Sequence, residues 1–303
     1  MNMSKTVGSL LSGTIGALVT ACVLSTALPA VAVAQPTAAA QSESKVGKVL
    51  GISHFGRQVG NLDQSIKFYQ TLGFQLQGQP GEWQVDEVAN RLGGTPGVES
   101  RSAVITMPSS VSAKPFNMTL REYRGIERQD WSGLSSSDLL SGHIDITVLD
   151  DCNPWMEKLK AADMLKIPEM NLAGGGDATG PRRFVFVQDP DGWYVELFAI
   201  MKPAPGAAPE GPKVSNSTAT FENIDRLGKQ AGFNHFGLNV LDPVKALSFY
   251  QGVLGGDYPA YTPPPPPAAG EAPRMGMMNG WFPQAQAEAS GNLRMELIKF
   301  PQN

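Results

Sequence analysis

The chain carries three histidines, His54, His143 and His235, and each stands near the start of an apolar run that reads as a β-strand. A neutral imidazole can donate a lone pair to a metal ion, and near neutral pH it can also carry a proton. Two acids stand in similarly apolar company: Glu196 in Trp193-Tyr194-Val195-Glu196-Leu197-Phe198, and Glu296 in Arg294-Met295-Glu296-Leu297-Ile298. A carboxylate in such a strand is costly to bury unless it is paired or bound to a metal. Single histidines are usually packed residues, and single acids usually face solvent at a sheet edge. Three histidines at one place in a repeat, matched by acids on later strands, point instead to a divalent-metal centre.

Strands that alternate sides place His54 with Gly56 and Gln58, His143 with Asp145 and Thr147, and His235 with Gly237 and Asn239. Gln58, Thr147 and Asn239 are thus suited to steadying an imidazole by hydrogen bonding, or simply to lining a wet cavity. The first strands cover 52–59, 142–150 and 233–240, and a helical stretch follows each, over 62–72, 154–164 and 243–254. Leu62, Ile66, Tyr69 and Leu72 fall on one helix face, with Asn61 or Asp63 as the cap and Gly73 as the exit. Phe68-Tyr69 and Phe249-Tyr250 lie 14 and 15 positions after their histidines. Strand-like pieces come next, at 103–107 and 116–123, at 183–187 and 193–200, and at 275–278 and 293–300. The recurring order predicts an α+β fold of βαβββ modules, two of them paired into a cupped mixed sheet, plus a third.

The spacing between copies predicts paired modules over 48–200 (48–130 and 140–200), a Pro/Ala-rich linker over 201–229, and a third module over 230–303. Pro263 to Pro267 are expected in an exposed loop, since they cannot sit in a central strand. The N-terminus reads as a signal peptide, residues 1–34, with Ala32-Val33-Ala34 before the cleavage point, followed by a polar tether over 35–47. The protein is therefore expected to be exported, periplasmic or secreted, with no membrane span after processing. Lipidation at Cys22, in Val19-Thr20-Ala21-Cys22, is the alternative, as is a retained spanning helix. Removal of the signal leaves Cys152 as the only cysteine, which excludes an internal disulfide and a Cys-based zinc site. A net charge of −4, with 17% charged residues, argues against a nucleic-acid partner.

The first-strand histidines, the helical Phe-Tyr and the run Asp189-Pro190-Asp191-Gly192-Trp193-Tyr194-Val195-Glu196-Leu197 resemble the vicinal oxygen chelate superfamily of glyoxalases, bleomycin resistance proteins and extradiol dioxygenases. The resemblance implies a metal inside a cup formed by two modules, with His54, His143 and Glu196 as ligands. Thr119 falls at the fourth ligand position, and an alternative alignment puts Glu122 there. Two histidines and one carboxylate imply dioxygenase-like chemistry with Fe(II), Tyr194 standing in as acid-base group. Four ligands imply a lyase, isomerase or epimerase, and Mn(II), Zn(II) or Ni(II) are then equally apt. A metal-free small-molecule binder is the third reading. In each, the partner is a small-molecule substrate or ligand, one that Trp83, Trp131 and Trp155 would contact if it is aromatic. The unpaired third module is expected either to form a homodimer, in which His235 and Glu296 would make a second site, or to pack on the first domain as structural cover.

Overall fold

The computed structural model describes residues 55–111, 114–128, 133, 138–139, 141–167, 184–200, 231–268, 275–283 and 292–299. The signal segment, Cys22, the tether, His54, Trp131 and the linker over 201–229 lie outside the described residues. What is described belongs to one unit, 46–303.

The first copy comprises β1 (Phe55–Val59), α1 (Leu62–Thr71), β2 (Gln75–Gln77), β3 (Gln84–Val85), α2 (Glu87–Gly93), β4 (Glu99–Met107) and β5 (Phe116–Tyr123). Asn61 caps α1, its Oδ1 accepting from Gln64 N at 3.0 Å. Leu62, Ile66, Phe68 and Tyr69 are buried on the helix face that the 3.6-residue period predicts. The sheet runs β1-β5-β4-β2, with β3 also on β4, and β1 lies parallel to β5.

The second copy comprises β6 (Gly142–Leu149), α3 (Asn153–Ala161), β7 (Phe184–Gln188) and β8 (Tyr194–Ile200); the third comprises β9 (Gly232–Asn239), α4 (Pro243–Tyr250), β10 (Gly276–Pro283) and β11 (Asn292–Lys299). Both helices end earlier than predicted. Asp163 takes a positive φ of 57° just beyond α3, a backbone conformation that does not continue a helix, while α4 gives way to turn over 251–254. Pro263 to Pro267 lie in a stretch without helix or strand.

These two copies form one six-stranded sheet, β10-β11-β9-β6-β8-β7. Its halves mirror each other: β6 is parallel to β8 and β9 to β11, while β6 and β9 join antiparallel at the centre. This corrects the predicted pairing of copies one and two. Each central strand satisfies the other's open edge, so within this sheet the third copy is paired with the second. Chain proximity had suggested the other partner, yet linkers say little about which edges match.

The sheet has two unlike faces. Ile144, Ile146, Val148, Val195, Leu197 and Leu297 are buried in the apolar core with Trp155, Met156 and Leu159 of α3. The alternate positions carry His143, Asp145, Thr147, Tyr194, Glu196 and Glu296, all buried as well. The first copy is clasped to this body by the Asp-Pro-Asp-Gly turn. Asp189 is fully buried and accepts from Arg57 Nε at 2.9 Å, Tyr69 Oη at 3.0 Å, Asp191 N at 3.0 Å and Trp193 N at 2.9 Å. Burial pushes its carboxyl above the ordinary range, against the pull of Arg57. Phe116 and Phe233 stack at 3.6 Å between ring centroids, adding an apolar contact. Among the described residues, no helix is long and apolar enough to cross a membrane.

Candidate metal centre

The central pair of strands carries the two histidines, and the strand outside each carries a glutamate. Register sets Asp145 opposite both Glu196 and His235, and Gly237 opposite both Glu296 and His143. The four side chains therefore converge on the same face. His143 Nε2 lies 3.2 Å from His235 Nε2, 3.2 Å from Glu196 Oε2 and 3.6 Å from Glu296 Oε2. His235 Nε2 lies 3.4 Å from Glu296 Oε2. Each of the four is at most 8% exposed.

Two glycines make this approach feasible. A Cβ on Gly237 would come within 2.1 Å of His143 Cε1, so the His143 ring occupies the space a side chain would need. A Cβ on Gly142 would meet the Gly237 carbonyl oxygen at 2.7 Å, so β6 and β9 approach closely there. In the other half of the mirror, the place of Gly237 is taken by Asp145, which is 2% exposed and gathers with Glu196 and His235.

His235 is steadied by a departure from regular pairing. The register shifts after Asp145, passing over Asn234 as a β-bulge. Asn234 Oδ1 then lies 3.1 Å from His235 Nδ1, and its Nδ2 donates to Thr147 Oγ1 at 3.0 Å. Ser110 Oγ donates to the same Thr147 hydroxyl at 3.1 Å. An Nδ1–H held by Asn234 aims the Nε2 lone pair at the cluster, as a ligand imidazole requires.

The set fits a divalent cation. Metal–nitrogen and metal–oxygen bonds of about 2.0–2.2 Å place neighbouring donors roughly 3.0–3.5 Å apart, close to the separations here. Three buried carboxylates in one cluster also call for a positive partner.

Of the residues singled out in the sequence, His143, Glu196, His235 and Glu296 come together, in one centre rather than two. His54 lies outside the described residues. Thr119 belongs to the other sheet, where it pairs with Gly56. Glu122 is in that sheet too, and its Oε2 accepts from Leu62 N at 3.0 Å and from Arg101 Nε at 2.8 Å, so it holds α1 against β4. Tyr194 is buried on the face of Glu196 and is the register partner of His143. Asn239 donates to the Asp138 carbonyl at 2.7 Å, away from the imidazole it was expected to serve. Trp155 packs in the core, while Arg101 and Arg124 lie over the Trp83 ring. Sequence reasoning missed Asp145 as a donor, and Asn234 and Ser110 as supports. One signal was available: in Phe233-Asn234-His235-Phe236 a polar residue interrupts the apolar side of the alternation, as a bulge would.

A mixed sheet in which, among the described residues, each of two copies contributes a strand, a helix and two further strands, with two histidines and two glutamates on its inner strands, is consistent with the βαβββ modules of a vicinal oxygen chelate fold. Residues 51–197 match the Glyoxalase/Bleomycin resistance protein/Dioxygenase superfamily. That superfamily includes metal-dependent enzymes, glyoxalases and dioxygenases among them. Among solved structures, a glyoxalase family protein from Bacillus cereus is 16% identical, with a TM-score of 0.41, over 51% of this chain and 97% of its own. The trypanothione-dependent glyoxalase I of Leishmania major is 23% identical, with a TM-score of 0.31, over 50% of this chain and 86% of its own. The fosfomycin resistance protein FosX of Listeria monocytogenes is 13% identical, with a TM-score of 0.29, over 51% of this chain and 94% of its own. No curated protein matches the sequence.

Proposed function

We propose that the chain is an exported, metal-dependent enzyme of the lyase, isomerase or epimerase kind, acting on a small molecule that presents two adjacent oxygens. The observation that carries this reading is the approach of His143 Nε2 to His235, Glu196 and Glu296, and of His235 to Glu296, at 3.2–3.6 Å. His143, His235 and Glu296 form one group that would hold a divalent ion, with Glu196 and Asp145 beside it. When bound, the ion supplies Lewis acidity, polarising a substrate oxygen and acidifying the adjacent C–H. Glu196 and Glu296 place a carboxylate oxygen on either side of the imidazole pair, positioned to take a proton from carbon and return it. Tyr194, one step along β8 from Glu196, offers a hydroxyl for orienting the substrate. Burial of the whole cluster keeps bulk water from competing.

A further carboxylate, Glu196, 3.2 Å from His143, supports chemistry in which a carboxylate moves a proton, while the two-histidine, one-carboxylate group His143-His235-Glu296 is the kind of set that supports the dioxygenase-like reading with Fe(II). Mn(II), Zn(II) and Ni(II) also accept these donors. Export is supported by the cleavable N-terminal pattern over residues 1–34.

The test is elemental analysis of the protein purified without chelators, combined with O₂ electrode measurements on candidate vicinal diols and 2-oxo compounds. One divalent ion per chain and turnover without O₂ uptake are expected. Stoichiometric O₂ consumption would move the chain to the dioxygenases, and metal-free protein would leave only ligand binding.

A further inference from the structure

A cavity of about 350 Å³ lies where the first copy meets the start of β6 and β8. Gly56 and Gln58 of β1 line one side of it, and Ser141, Trp193 and Tyr194 the other. Ser141 is two residues ahead of His143, and Tyr194 two residues ahead of Glu196, so strand alternation puts both on the metal-site face. Two residues along a strand span about 7 Å. The cavity therefore begins one side-chain step from the donor cluster.

Its lining defines what would fit. Arg57 and Arg128 border it, but each is already paired, with Asp189 at 2.8 Å and Asp191 at 3.2 Å. Trp193 has Phe55 stacked on its ring and Arg57 over it, so it presents an edge rather than a stacking face. The other charged lining residues, Glu127 and Asp191, balance the two arginines, so the remainder is an amide, hydroxyls and aromatic edges with little net charge, in a volume at the lower end of the roughly 300–1,000 Å³ typical of small-molecule sites.

We propose that this cavity receives the part of the substrate that extends beyond its metal-bound oxygens. The first copy thereby acts as the specificity wall for a centre built by the other two. The ligand it selects is uncharged, hydrogen-bonding and about one ring in size. This inference rests on the metal-centre reading above.

Gly56 provides the probe. A Cβ there meets nothing within 4 Å, and a tryptophan suits a strand, so Gly56→Trp fills the cavity without strain. Two hydroxamates offer the same adjacent oxygens to the metal: acetohydroxamate reaches only the centre, while benzohydroxamate needs the cavity as well. Calorimetry on the metal-loaded full chain is expected to show benzohydroxamate bound about tenfold or more tightly than acetohydroxamate. In Gly56→Trp that preference should vanish, with metal content and acetohydroxamate affinity unchanged. A preference that survives the substitution, or none in the wild type, overturns the proposal. Should Gly56→Trp lose metal, Gln58→Trp, the next cavity-lining position, is read the same way. Wild-type protein without metal would sink the centre itself, an outcome that elemental analysis separates from the others.

Discussion

Two imidazole nitrogens lie 3.2 Å apart in a buried cluster of carboxylates, and one absent side chain lets them approach. Gly237→Ala drives a methyl into the His143 ring, so loss of most metal affinity is expected, together with a destabilisation of about 1–3 kcal/mol. Metal titration and thermal melting would check both, and unaltered affinity would mean that the ring has room elsewhere. Cys152 is the contrasting residue. Burial pushes its thiol up to about 12, and the thiolate is the reactive form, so the native protein should resist iodoacetamide at pH 8. Reactivity should appear only as the pH nears 12 or when the chain is unfolded, as mass spectrometry would record. Much of this scale was legible beforehand, because histidine and glutamate in apolar strands are conspicuous. Asp145 was visible as a polar residue on the right face, but its place among the donors depends on register, which spacing alone does not supply.

At the scale of elements, the Asp-Pro-Asp-Gly turn is a clasp as much as a family mark. Asp189 draws together β1, α1 and its own turn, with Arg57 only 14% exposed. Asp189→Ala strands that guanidinium in a buried setting, where removal of one partner of such a pair costs about 3–5 kcal/mol. Denaturant unfolding should register this loss, whereas a change below about 1 kcal/mol would show that the first copy is held by other contacts. Helices and strands that start with their own chemical marks, such as Asn61, Pro154 and Pro243, were read from periodicity to within a few residues, whereas the short β2, β3 and α2 of the first copy were not read at all. The β-bulge at Asn234 was not, because a bulge is a relation between two strands, and its local trace is a single polar residue out of place.

For the whole molecule, the fold class was legible and the pairing was not. Three similar modules can combine in more than one way, and all leave the same hydrophobic pattern in the sequence. The choice lies in edge fit: β6 and β9 meet over Gly142 and Gly237, and the first copy turns to face the entrance of the site. The account therefore stands on which histidines hold the ion. The most direct measurement is metal content per chain in His143→Ala, His235→Ala and His54→Ala, each purified without chelators and checked for folding by circular dichroism. Loss of the ion in the first two with retention in the third is predicted. Loss in His54→Ala with retention in His235→Ala would contradict a centre shared by the second and third copies.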